Sequence, residues 1–211
     1  IFDGTADLTT NIEVNGATIR AASAGAFGTG TIHAIDPTIE FGATGEYAND
    51  ISLEVVAPAS DDPTTLVVDS GVTATLSGVI TRGGGDTVQP LNIGGAGTIV
   101  LTNSGNSWTG TTTIGEDATL QGALDTISGS SFVSNGTLAF VQTDSGTLDR
   151  DVSGSGIVAV SGLTAGNDFT ITGDLTNEGG ITSTDTANII IDSGGSVAAT
   201  SGTAVAFSGA F

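Results

Sequence analysis

Residues 94–122, GGAGTIVLTNSGNSWTGTTTIGEDATLQG, decide how the whole chain is read. Two short β-type runs, 98–102 and 111–120, are built from Thr, Ile, Val and Leu, which suit a pleated, half-buried backbone. Gly97, Gly105, Gly110, Gly115 and Gly122 punctuate them, and a single aromatic, Trp108, sits in the polar turn from Asn106 to Gly110. Strand, glycine corner, aromatic, strand, glycine is how one coil of a β-solenoid would be written.

Working outward, the same grammar recurs. Strand-like runs fall at 17–21, 31–35, 39–41, 51–56, 65–68, 72–80, 137–142, 156–160, 168–172, 188–191 and 204–207, mostly bounded by Gly, Asn, Asp or Ser. The phrase from Gly95 to Thr102 is echoed by Gly154 to Ser161, 59 positions later. Asn106-Ser-Trp108 is echoed by Asn167-Asp-Phe169, 61 positions later. Three coils of roughly 20 residues account for both offsets. Each coil would contribute about three short strands stacked on their counterparts, with alternate residues turned into a narrow core. Asn-Gly at 15–16 and 135–136, and Asp-Ser-Gly at 69–71, 144–146 and 192–194, read as corners. The two-proline segment 57–63 reads as a loop bulging from a corner and as a place for a functional insertion. The expectation is one all-β domain over 1–211, a segment of something larger.

Composition narrows the function. Asp and Glu number 23 against three basic residues, Arg20, Arg82 and Arg150, for a net charge of −20 that repels nucleic acid and anionic lipid surfaces. With no cysteine there is no disulfide framework or thiolate metal site. No apolar run approaches the roughly 20 residues of a membrane helix.

Enzymatic chemistry has little to work with. His33 is the only histidine, no G-x-S-x-G nucleophile elbow is present, and zinc needs several His or Cys ligands. The acidic doublets Asp61-Asp62 and Glu116-Asp117, with Arg82 or Arg150 nearby, would have to line a groove for a polysaccharide-active enzyme. The chain is read as non-catalytic, without an obligatory cofactor. Calcium is the one ion the composition invites. Gly83-Gly-Gly-Asp86 matches the start of a glycine-rich calcium repeat, and Asp144, Asp149 and Asp151 could supply hard oxygen ligands at a corner. The phrases Thr29-Gly-Thr31 and Thr111-Thr-Thr113 raise an ice-binding reading, which would need Thr-x-Thr in nearly every coil.

Residues 95–120 resemble the passenger-associated repeat of bacterial autotransporters, GxGTLxLxGxNxYxGxTxIxxGxL. Gly95, Gly97, Thr98, Leu101, Asn106, Trp108, Gly110, Thr112, Ile114 and Leu120 fall at matching places, with Ile99 and Trp108 standing for the usual Leu and Tyr. Glu116-Asp117 departs from the pattern by placing two charges where a clean strand is usual. The phrases at 24–32, 76–80, 134–145 and 152–156 are similar to others in the same proteins, so the resemblance covers roughly residues 24–173. It implies a right-handed parallel β-helix of about eight to ten rungs, with Gly97, Asn106, Trp108, Gly110, Gly156 and Phe169 as structural residues. It implies a stalk on the bacterial cell surface that displays or spaces binding regions for host or neighbouring-cell components. Adjoining rungs and a translocator barrel would complete such a protein. Unpaired strands at a solenoid's ends add an expectation of self-association, and a calcium-stabilised surface layer or filament is the alternative.

Overall fold

The computed structural model describes residue 1 and residues 9–54, 63–83, 88–183 and 188–191. Among them there are strands and turns but no helix, and every strand pairing is parallel. Sheet S2 runs through Thr18–Ala21, Thr38–Phe41, Thr64–Val68, Leu91–Gly95, Thr111–Ile114, Ser131–Ser134 and Val152–Ser153. Sheet S3 runs through Gly45–Tyr47, Thr73–Leu76, Thr98–Leu101, Thr119–Gly122, Thr137–Val141, Ile157–Ser161 and Ile181–Ser183. The remaining side is divided. Ile12–Asn15, Ile32–Ile35, Ile51–Glu54 and Ile80–Arg82 form sheet S1, and Gly146–Leu148, Asp168–Ile171 and Asn188–Ile191 form sheet S4. Residues 103–110 and 123–130 pass that side without a strand. The path visits the three sides in turn, about eight times, which makes the chain a parallel β-solenoid.

The register explains the repeats. Thr98 pairs with Thr119, Thr119 with Thr137 and Thr137 with Ile157, so the 59-position echo is three turns of the solenoid. Longer steps, Thr38 to Thr65 and Thr65 to Asn92, occur in turns that take in residues 55–62 and 83–90. Most of the two-proline segment, 57–62, lies outside the described residues, as do Asp86 and the expected strand 204–207.

Strict alternation builds the core. In Thr98–Leu101 the residues Ile99 and Leu101 are buried and Thr98 and Val100 face outward. Stacking then aligns like with like: Ile39, Leu66, Ile93 and Ile114 form one inner row, and Ile99, Leu120, Leu138 and Val158 another. Phe27, Phe41 and Tyr47 fill the amino-terminal end, the last two rings 4.7 Å apart and edge-on. The Tyr47 hydroxyl donates to the Ala43 carbonyl at 2.7 Å, and burial raises its pKa. Phe140 and Phe169 pack 5.4 Å apart further along.

Two expected strands are broken. Run 72–80 divides at Ser77-Gly78, and run 111–120 divides at Gly115-Glu116-Asp117, because each spans a corner between sheets. Glu116 and Asp117 are the exposed tip of that corner, which is why two charges are tolerated between apolar strands.

Candidate functional site

Side-chain chemistry gathers at the corners, where a coil's backbone leaves its sheet and its polar groups need other partners. Asn106 occupies one such corner, opposite the end of sheet S1. Its Oδ1 accepts from the Ile80 backbone N–H at 2.7 Å in the preceding coil. Its Nδ2 donates to the Thr126 carbonyl at 2.8 Å in the following coil. One buried amide therefore ties three successive turns. Asn49 and Asn167 sit at equivalent corners, just ahead of the strands at 51 and 168, and each reaches back one coil, to the Gly30 carbonyl at 2.7 Å and the Thr143 carbonyl at 2.8 Å. The asparagine-then-aromatic echo in the sequence reflects this shared corner role.

Trp108 follows Asn106 into the interior and is 1% exposed. It fills the side left without a strand, and its Nε1 donates to the buried Thr112 hydroxyl at 2.8 Å. Gly97 and Gly156 lie over the carbonyls of Asp69 and Gly136 in the coils beneath them. A Cβ at either place would stand far inside van der Waals contact of that oxygen. Gly110 lies equally close over the Gln89 carbonyl, and Phe169 is fully buried.

Two further three-coil ties required the register to be seen. His33 sits between Asn11 and Glu54, from the coils on either side. Its Nδ1–H donates to the Glu54 carboxylate, and its Nε2 accepts from Asn11 Nδ2 at 3.1 Å. The Thr31 N–H, donating to Asn11 Oδ1 at 3.3 Å, sets the amide's orientation and so the imidazole tautomer. Both ring nitrogens are thus engaged, and the lone pair a general base would use is turned to a structural partner. Arg20 likewise joins Glu40 at 3.3 Å and, through both guanidinium nitrogens, Asp69. That bidentate pairing raises the Arg20 pKa and holds the Asp69 carboxyl below its usual range. Arg150 is turned inward, donating to the Ile127 carbonyl at 2.6 Å and lying 5.0 Å from the Phe132 ring centroid. Burial lowers its pKa, against the attraction of Asp149. Arg82 is exposed at the end of its strand.

The carboxylates proposed for calcium fall at two corners. Asp144 lines an open groove with Leu124, Asp125, Val141, Gln142 and Thr147, where the Gln142 amide accepts from the Leu124 N–H and donates to the Asp144 carbonyl. Asp149 and Asp151 lie beyond the strand Gly146–Leu148, flanking Arg150. Asp151 Oδ1 accepts from the Asp174 N–H at 2.9 Å. Among the described residues no three His, Cys, Asp or Glu side chains converge as a metal site.

No family model, curated protein or solved structure matches the chain. The fold and the corner geometry are therefore what a functional reading has to rest on. Buried Gln89, whose side-chain nitrogen and oxygen find no hydrogen-bond partner among the described residues, is the feature that sequence reasoning passed over entirely. Its neighbours in the sequence, Val88 and Pro90, carry no signal of an inward-facing amide.

Proposed function

We propose that the chain is a non-catalytic stalk segment of a bacterial cell-surface passenger of the autotransporter kind, wound as a right-handed β-helix. The observation that carries this reading is the continuous stacking of sheets S2 and S3, seven strands each, with corner side chains tying three coils at a time. Eight turns at about 4.8 Å each make a rod roughly 40 Å long, whose polar chemistry is spent on holding coil to coil. Such a segment would space binding regions from the cell, and receptors for host or neighbouring-cell components would lie elsewhere in the polypeptide. A high negative charge suits that exposed setting, since it keeps neighbouring rods apart and in solution.

Carboxylates at successive corners, Asp125 and Asp144 in one groove and Asp149 and Asp151 at the next, favour a second reading as a calcium-stabilised surface-layer or filament protein. Thermal unfolding followed by circular dichroism, with millimolar calcium and then with chelator, separates the two. A β-rich spectrum with an unshifted midpoint is expected of a self-sufficient stalk. A large rise with calcium would replace that reading with the second. Extension by atomic force microscopy tests the rod itself: the stalk should resist until coils release in steps, and featureless low-force stretching would refute a mechanical role.

A further inference from the structure

Sheet S1 carries the chain's only histidine where its two ring nitrogens fare differently on protonation. His33 lies between Ile12–Asn15, an edge strand among the described residues, and Ile51–Glu54. Its Nδ1–H donates to Glu54 and so already holds a proton. Nε2 holds none: it accepts from Asn11 Nδ2 at 3.1 Å and is the atom that takes the next proton. Once it does, N–H faces N–H. Turning the Asn11 amide over does not resolve this. Oδ1 would leave the Thr31 N–H, from which it accepts at 3.3 Å, and Nδ2 would face that donor instead. Either way Asn11 keeps only one of its two bonds to the next coil. The Glu54 bond on the opposite side survives protonation and becomes charge-assisted.

We propose that His33 is a proton-sensitive latch: a proton on Nε2 loosens the coil at residues 11–21 from the coil at 31–41, while His33 stays fastened to Glu54. The loosened coil is the one least held elsewhere, since Ile12–Asn15 and Thr18–Ala21 are both edge strands among the described residues. The charges around the ring set the terms. Glu13 stands opposite His33 in register on the edge strand and would draw an imidazolium toward that coil. On the other side the register partner is Ser52, which is uncharged. The Asp50 carboxylate accepts from the Val79 N–H in the following coil, and Arg82 lies two strands away. Glu54 holds the ring whether or not the edge coil opens, so its attraction cancels. The contest is between Glu13 and the lost Asn11 bond, and salt separates them. Glu13 is exposed. At about 0.5 M salt the Debye length is about 4 Å, shorter than the strand spacing of about 4.8 Å, so its pull is screened. Two donors facing each other at contact distance are not relieved by salt.

Amide hydrogen exchange followed by NMR, on the whole chain in about 0.5 M sodium chloride, tests the latch across the range of about pH 8 to pH 5 in which imidazoles change charge. Protection factors for Ile12–Asn15 and Thr18–Ala21 are taken relative to those of Thr98–Leu101, far along the rod, so that intrinsic exchange and global stability divide out. Imidazole nitrogen-15 shifts record the proton arriving on Nε2. The expected result is a fall in relative protection of about three- to tenfold as it arrives, the worth of one hydrogen bond. His33→Gln, which does not titrate, should make the ratio flat. Asn11→Asp keeps an acceptor for the Thr31 N–H and offers a second oxygen to Nε2–H, so it should reverse the sign and raise protection in acid. Circular dichroism and Trp108 fluorescence establish that each variant is folded. A parent ratio that does not fall, or a ring that takes no proton in this range, overturns the proposal. So does a fall that persists in His33→Gln, or an Asn11→Asp chain that fails to reverse it. The latch does not depend on the stalk reading, because exchange at one coil reports neither the extension force nor the calcium response.

Discussion

Replacing Asn106 tests whether a single corner amide holds three coils. In Asn106→Ala, the Ile80 N–H and the Thr126 carbonyl lose their partners together, at a site where the asparagine is only 9% exposed. An orphaned buried group costs about 1–3 kcal/mol, so the pair should cost about 3 kcal/mol, somewhat less than the maximum because water can enter the space left behind. In a chain of this size that lowers the midpoint by about 6–12 °C. Asn106→Asp is the sharper probe. It keeps the acceptor facing Ile80 but sets a carboxylate oxygen against the Thr126 carbonyl. Burial and that oxygen should raise the new carboxyl's pKa in the folded state, while the unfolded chain keeps the ordinary value of about 3.9. The penalty should therefore be small in acid, where the protonated group can donate to Thr126, and should grow as pH rises from about 4 toward neutrality. Urea unfolding followed by fluorescence of Trp108, two residues away, reads both variants. The reasoning fails if Asn106→Ala lies within about 0.5 kcal/mol of the parent, or if the Asn106→Asp penalty is the same at acid and neutral pH.

Gln89→Met should raise stability by about 1–2 kcal/mol, since it removes an amide buried without a partner among the described residues at little change in volume; a lower urea midpoint would show that the amide is satisfied in solution. Trp108→Ala should cost about 3–5 kcal/mol, and the parent's emission should be that of an indole shielded from water, as the 1% exposure requires. An emission maximum typical of a solvated indole would contradict that placement. Asp69→Asn should destabilise the protein modestly at neutral pH, because Arg20's hydrogen bonds lower the Asp69 pKa in the folded state. That stabilisation is present above the unfolded-state value of about 3.9 and is lost as pH falls through the depressed folded value. Parent and variant should converge in strong acid, and a difference that does not shrink there would count against the ion pair.

Much of the architecture was legible because a solenoid writes its period into the chain. The echo between residues 95–102 and 154–161 spans three turns, and alternating apolar residues mark which side chains enter the core. Strands were missed where glycine or serine hid them. Leu91–Gly95 ends in two glycines and Ser131–Ser134 is half serine, yet both are held by neighbours above and below in sheet S2. Corners were merged into strands wherever their residues, such as Val79 and Ala118, are themselves apolar. The polar ties were harder still. Arg20 and Asp69 are 49 positions apart, and His33 and Glu54 are 21 apart. Nothing in the local sequence of either member signals the other; only the register of coils brings them together.

Every described strand finds its partner one turn away, between 18 and 29 residues along the chain. A nascent or emerging polypeptide with that property need not wait for its far end. As soon as one coil is in place its edge is a template, and the next segment of about 20 residues can add to it with a small loop-closure cost. Growth can then proceed coil by coil from wherever the first layers form, and no step requires a distant segment to be found.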